Sequence, residues 1–155
     1  MEDLNILTKE EVINQGVHFS ELWDEYGSDR LLDRPEEDGG QPFTGIAYES
    51  DQDGNLIYYC YYEDGFSQGA YVEFYEDGNV KSIQNMKRGR THGSEKIWRK
   101  DGALQLEAIY EYGICVYVRE WDEKGMLIQE KLYPTKEAVS YTHLRAHETT
   151  LHGVL

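Results

Sequence analysis

The chain has 155 residues, 39% of them hydrophobic and 29% charged, with 30 acidic against 15 basic side chains and a formal net charge of -15. That length suits one domain, and the charge opposes the clustered Lys and Arg that hold proteins to phosphate backbones or anionic lipid, so neither nucleic acid nor membrane is expected as a partner. Thirteen Tyr, three Trp and four Phe make the chain too aromatic for a disordered acidic tail and bias it towards β-structure.

Residues 1-40 form an N-terminal cap segment without internal repetition. Thr8-Lys9-Glu10-Glu11 is a capping-box pattern and Gly16 a stop signal, which predicts a short helix from Lys9 to about Asn14. Gly16 to Trp23 suits one strand and Arg30 to Asp33 another, and both are expected to cap the first edge of the β-structure beyond residue 40. Arg34 to Gln41, with Pro35, Glu36, Glu37, Asp38 and Gly39-Gly40, reads as a flexible acidic loop. The first 30 residues carry eight acids against Lys9 and Arg30, so no cationic segment precedes an apolar one as a signal peptide requires. No apolar run reaches the roughly 18 residues of a spanning helix. Cys60 and Cys115 are too few and too isolated for a disulfide framework. These features together point to a soluble, cytoplasmic protein.

From residue 41 glycines recur at a step of 24. Gly45, Gly69 and Gly93 form one series, Gly54, Gly78 and Gly102 a second, and Gly65, Gly89 and Gly113 a third. In a fourth unit Gly125 arrives one residue early and Val116 replaces the first-series glycine, so a deletion falls near Ile114-Cys115-Val116. The residue before the second-series glycine is Asp53, Asp77, Asp101 and then Lys124, and Asp-Gly is a hairpin signal in which Asp tolerates the positive φ of a tight turn. The third series, Asp64-Gly65, Arg88-Gly89 and Tyr112-Gly113, begins the link to the next unit.

The segments between are β-branched or aromatic: Leu56 to Tyr62, Tyr71 to Tyr75, Leu104 to Tyr110 and Leu127 to Tyr133. Leu56, Val80, Leu104 and Leu127 share one column, Tyr62, Met86, Tyr110 and Tyr133 a second, and Phe74, Trp98 and Trp121 a third. A lone hairpin is marginal, whereas stacked columns bury each hairpin against its neighbours. The fold expected is all-β: tandem 24-residue hairpins over residues 41-133 in one antiparallel meander, preceded by a short helix.

Pro42-Phe43-Thr44-Gly45, Asp53-Gly54-Asn55-Leu56, Tyr75-Glu76-Asp77-Gly78-Asn79-Val80 and Lys87-Arg88-Gly89-Arg90-Thr91-His92-Gly93 resemble the recurring phrases of MORN-repeat-variant proteins of the YwqK antitoxin type. The resemblance covers about residues 41-133 and implies a MORN-like fold and an antitoxin, immunity or scaffold role. Val116 in place of glycine, Glu-Asp-Gly turns where Asn-Gly is usual, and an acidic first unit depart from the family pattern.

Beyond Tyr133-Pro134 the repeat ceases. Ser140 to Thr149 resembles the translated read-through of a sequencing adaptor, so residues 134-155 are expected to be a non-native or disordered tail. His143, His147 and His152 could share a helix face, but nothing supplies the shaped cavity of a metal site, and no metal or other cofactor is expected.

Catalysis is not signalled. Asp51-Gln52-Asp53-Gly54-Asn55 starts like a calcium loop, but its twelfth position is Tyr62 where a bidentate Glu is required. His18 and His92 lack a triad arrangement, and dispersed carboxylates cannot be placed at a glycosidase separation. Neither an enzyme nor a small-molecule substrate is expected. Cys60 lies among tyrosines as a structural thiol. Strand alternation puts Tyr58, Cys60 and Tyr62 on one face and Tyr59 and Tyr61 on the other. A one-layer meander leaves a face for a partner, although cross-strand aromatic ladders would also use these rings.

Residues 1-77 hold 20 acids and 3 bases, net -17, whereas residues 78-155 hold 10 acids and 12 bases, net +2. The expected contact surface is therefore Tyr59, Tyr61 and Tyr75 with Glu49, Glu63, Glu73 and Glu76, alongside Asp51 and Asp64. Acids and rings together could mimic nucleic acid in a basic cleft. The expected function is an antitoxin or immunity protein that occludes a basic toxin domain, with a non-inhibitory scaffold as the alternative.

Overall fold

The structure is a computed structural model that describes residues 5–133; the tail and its histidines lie outside the described residues. The helix α1 spans Lys9–Gln15, and its capping box is complete: the Glu11 amide donates to Thr8 Oγ1 at 3.1 Å and the Thr8 amide to Glu11 Oε1 at 2.8 Å. Gly16 ends the helix in extended rather than left-handed geometry. It is needed for close approach, because a Cβ there would lie 2.7 Å from the Val12 carbonyl oxygen and 3.0 Å from that of Ile46.

The single strand expected from Gly16 to Trp23 is instead broken in three: β1 (Val17–His18), a 3-10 turn (Phe19–Glu21) and β2 (Trp23–Asp24). The break follows from His18, whose Nδ1 accepts the Ser20 amide at 3.1 Å and caps the turn, while Phe19 packs edge-on against Tyr58. The second expected strand is the two-residue β3 (Leu31–Leu32), paired with β2. Arg34 to Gln41 forms no open loop. Glu36–Asp38 is a 3-10 turn closed by Gly39 at φ 80°, and the Gln41 amide donates to Asp33 Oδ1 at 2.9 Å.

The hairpin strands are β4 (Gly45–Ser50), β5 (Leu56–Glu63), β6 (Phe66–Phe74), β7 (Val80–Lys87), β8 (Arg90–Trp98), β9 (Leu104–Glu111), β10 (Ile114–Trp121) and β11 (Leu127–Leu132). They pair in chain order as one antiparallel meander, with β1 added parallel to β4 at the first edge. Of the two cap strands expected at that edge only β1 reaches it, by one short parallel pairing, whereas β2 and β3 form a separate two-stranded sheet.

Two turn types alternate, and they divide the glycine series differently from the sequence reading. In the Asp-Gly turns only the glycine has positive φ (Gly54 82°, Gly78 90°, Gly102 91°). The carboxylates there serve as acceptors: Asp77 and Asp101 take the amides of Asn79 and Ala103, each at 2.9 Å. The tight two-residue turns are the links, where Asp64, Arg88 and Tyr112 stand at φ 56°, 46° and 47° before Gly65, Gly89 and Gly113. Two successive residues at positive φ are the signature of the type I′ hairpin.

Each link turn is clamped from the preceding hairpin. The amides of Asp64, Arg88 and Tyr112 donate to Thr44 Oγ1, Gln68 Oε1 and His92 Nδ1 at 3.0, 2.9 and 3.1 Å. Three chemically different acceptors thus fill one repeat position, and His92 is the third of them. Of the first-series glycines, Gly69 and Gly93 sit in bulges, whereas Gly45 pairs regularly with Tyr62. Gln68, Gly69 and Ala70 face the single Tyr61, and His92, Gly93 and Ser94 face Asn85. In the fourth unit the bulge shrinks to Val116 alone, between Cys115↔Tyr110 and Tyr117↔Ile109. That is the structural expression of the one-residue deletion.

Register places Ile46, Tyr59, Val72 and Ile83 on one face, where Val12 of α1 covers them as the main core. Ala47 lies on the other face beneath Leu31 and Phe43 of the cap. Consecutive hairpins are also stapled along the Asp-Gly rim: Tyr75 Oη donates to the Trp98 carbonyl at 2.7 Å, and Arg99 Nη2 to that of Trp121 at 2.9 Å. The equivalent of Tyr75 and Arg99 in the last unit is Asp122, which as a carboxylate cannot donate, and the series stops there.

Candidate partner-binding surfaces

The seven residues expected to make one contact surface are distributed over two faces and two rims. Tyr59 is a correction: it is fully buried, its hydroxyl accepts the Leu7 amide at 3.0 Å, and its ring packs on Tyr61 and Phe74. The face expected to be open at that point is closed by the N-terminal cap. Tyr61 is half-buried on the same face, beside a depression of about 500 Å³ lined also by Asn5, Ile6, Ala70, Asn85 and Lys96. Tyr75 is half-buried at the Asp-Gly rim. Its hydroxyl is consumed by the staple to Trp98, and its ring lies between the ammonium groups of Lys81 and Lys100 at 5.9 and 5.8 Å.

Glu49 and Glu73 occupy the opposite face. Glu49 Oε1 lies 3.3 Å from His18 Nε2, and Glu73 Oε1 accepts from Ser82 Oγ at 3.1 Å. Tyr58 and Tyr71 stack beside them with centroids 5.2 Å apart, so the cross-strand ladder is the use this face makes of its rings. Glu76 is exposed on the Asp-Gly rim, and Glu63 is exposed on the opposite rim next to Asp64. Since the strands follow chain order, the acidic half of the sequence is the cap end of the sheet, with Glu36, Glu37 and Asp38 exposed in the cap.

A buried polar cluster on the Glu73 face escaped the sequence reading. Glu95 is 8% exposed, accepts from Gln84 Nε2 at 2.7 Å and is hydrogen-bonded by the Tyr110 hydroxyl. Burial pushes its carboxyl above the ordinary 4.5, the charge of Glu73 adds to this, and the two hydrogen bonds oppose it. A folded-state value above the unfolded one gives stability that is fully present below pH 4.5 and is lost as pH rises through the raised value. Glu95→Gln is therefore expected to be more stable than wild type at pH 7 and to lose that advantage towards pH 4. Denaturant titrations at several pH values test this, with the variant's advantage growing by no more than about 1.4 kcal/mol per pH unit as pH rises. Equal stability at pH 7 would contradict it. The only sequence signal was an acid at an inward position of a strand.

Burial raises the Cys60 thiol to about 12, so it stays protonated as a core residue. Among the described residues no group of three or more His, Cys, Asp or Glu is placed to hold a metal ion, and no helix is long and apolar enough to cross a membrane.

No family model matches the chain, and no solved structure matches it. Among curated proteins it is 40% identical over 116 residues to "Immunity protein YwqK" of Bacillus subtilis (strain 168), a match covering 75% of this chain and 75% of that protein. Identity at that level over three quarters of both chains exceeds what turn glycines alone could supply, and the protein belongs to the family of the immunity protein YwqK.

Proposed function

We propose that the protein is an immunity factor that neutralises a protein toxin by binding it and covering its active cleft, and that the toxin's contact surface is basic. The observation that carries this reading is the 40% identity to an immunity protein. The charge map supports the choice of partner: the cap end of the sheet belongs to a half with net charge -17, and most of its acids are exposed. Such a field raises encounter rates with a cationic partner more than it raises affinity. Shape and aromatic contact then set the dissociation rate.

The full chain as bait in source-cell lysate should retain one stoichiometric basic protein, whose toxic activity it abolishes. Stopped-flow association with that protein is expected to slow about tenfold between low and physiological salt. Glu76→Lys and Glu63→Lys should slow it further with little change in dissociation. Glu73→Lys is expected to act in the same direction and also to strand the Ser82 hydroxyl. A salt-independent association rate would end the steering part of the proposal. Several weak partners and no inhibition would favour a scaffold.

A further inference from the structure

We propose that His92 makes the third link turn, Tyr112-Gly113, a proton-operated clasp, closed while the imidazole is neutral and opened by acid, whereas the two preceding links stay closed. Thr44, Gln68 and His92 do one task at a step of 24, accepting the amides of Asp64, Arg88 and Tyr112. A hydroxyl and a carboxamide accept whatever the pH. An imidazole accepts only when neutral, because the imidazolium carries a proton on both ring nitrogens. Histidine is the side chain that makes this change within the physiological range.

The geometry leaves the ring one arrangement. A backbone amide is a fixed donor, so Nδ1, 3.1 Å from the Tyr112 nitrogen, is the bare ring nitrogen and Nε2 carries the proton. The half-buried ring is held over the turn by the Tyr112 ring, whose centroid lies 4.5 Å away. A proton on Nδ1 would set two N–H groups against each other at that contact. Tyr112 stands at φ 47°, a conformation that persists only where its surroundings hold it. The Gly113 amide keeps its own bond to the Thr91 carbonyl at 2.8 Å, so the opening is confined to the turn and spares the hairpin.

The charged and titratable groups on the elements that meet here are Lys87 and Arg88 from β7 and its link, Arg90 from β8 itself, and Tyr110, Glu111 and Tyr112 from β9 and the turn. Lys87 Nζ lies 3.3 Å from the Tyr112 hydroxyl and 5.2 Å over its ring, and Arg90 lies against Gly113. Arg88 lines a depression on the other side with Glu63 and Asp64. A positive charge gained by His92 is repelled by Lys87 and Arg90 and drawn by Glu111, so the balance of these neighbours acts with the lost hydrogen bond to release the turn.

The clasp sets how the exposed Tyr112 ring and the Lys87 ammonium are presented together on the link rim. Opening frees both. This inference does not depend on the partner being a toxin.

The test is amide hydrogen exchange by NMR on the full chain, read as protection factors at about pH 8 and about pH 5. Protection at Tyr112 is expected to fall about fivefold in acid, the loss of one hydrogen bond of ordinary strength. Arg88, whose amide is held by Gln68, should keep its protection and serves as the reference in the same spectra. His92→Gln installs the acceptor that the preceding repeat uses, and Tyr112 should then be protected equally at both pH values. Protection at Tyr112 that is unchanged by acid in wild type, that falls as far in His92→Gln, or that falls together with that of Arg88 would each overturn the proposal.

Discussion

Replacing Tyr59 by Ala is expected to cost about 3–5 kcal/mol, the range for emptying a large aromatic from a packed core. The ring is fully buried between Tyr61 and Phe74, in a core built from Val12 of the cap and Val72 and Ile83 of the sheet. Tyr59→Phe keeps the ring and removes the acceptor for the Leu7 amide, so about 1–2 kcal/mol is expected for that change. Urea denaturation of the two variants separates packing from the hydrogen bond. A loss under about 1 kcal/mol for Tyr59→Ala, well below the range for a packed ring, would show that the cap does not close this face, and would return Tyr59 to the surface available to partners.

The second large effect concerns Gly65, where the cap meets a type I′ turn. Its amide donates to the Phe43 carbonyl at 2.8 Å and its own carbonyl accepts the Leu31 amide at 2.9 Å. A Cβ there would fall on Arg30 Cγ and 2.9 Å from the Leu31 oxygen, at a φ of 87° that already disfavours side chains. Gly78 has nearly the same φ, 90°, but a Cβ added there would meet nothing within 4 Å. Gly78→Ala is therefore expected to cost about 1–2 kcal/mol, the left-handed penalty alone. Gly65→Ala is expected to cost about 3 kcal/mol or more, because displacement of Arg30 and of backbone is added. Arg30 cannot swing away freely, since its guanidinium is paired with Glu25 at 2.6 Å. Denaturation midpoints of the pair decide the matter: equal costs would mean that cap and hairpins do not melt as one unit.

Both predictions rest on the cap, the part of the fold least visible from the residues. The hairpins were legible because each unit repeats the same demand on the backbone: Gly54, Gly78 and Gly102 at positive φ, Gly69 and Gly93 in bulges, with apolar columns between. Even the deletion beside Val116 could be read from a glycine out of step, and it appears as a smaller bulge. The clamp formed by Thr44, Gln68 and His92 obeys the same step of 24 but went unseen, since the three side chains share a hydrogen-bond role and no chemical type.

The candidate contact residues fared differently, for a physical reason. Alternation correctly separates Tyr58 and Cys60 from Tyr59 and Tyr61, because side-chain direction in a strand is a local property. Which of those faces is covered is not local. It depends on Ile6, Leu7 and Val12 folding back across strands distant in sequence, and on Leu31 and Phe43 doing the same on the reverse. Tyr75 likewise reads as an exposed ring until Trp98 is seen to lie within reach of its hydroxyl.

Repeat period, turn chemistry, strand direction and the uneven distribution of charge are thus properties of short stretches of chain, and they can be read from residue order alone. Tertiary structure decided which tyrosines are core and that Glu95 is a buried carboxyl. Burial and charge pairing are set by neighbours distant in sequence, whereas backbone geometry is set by neighbours adjacent to it.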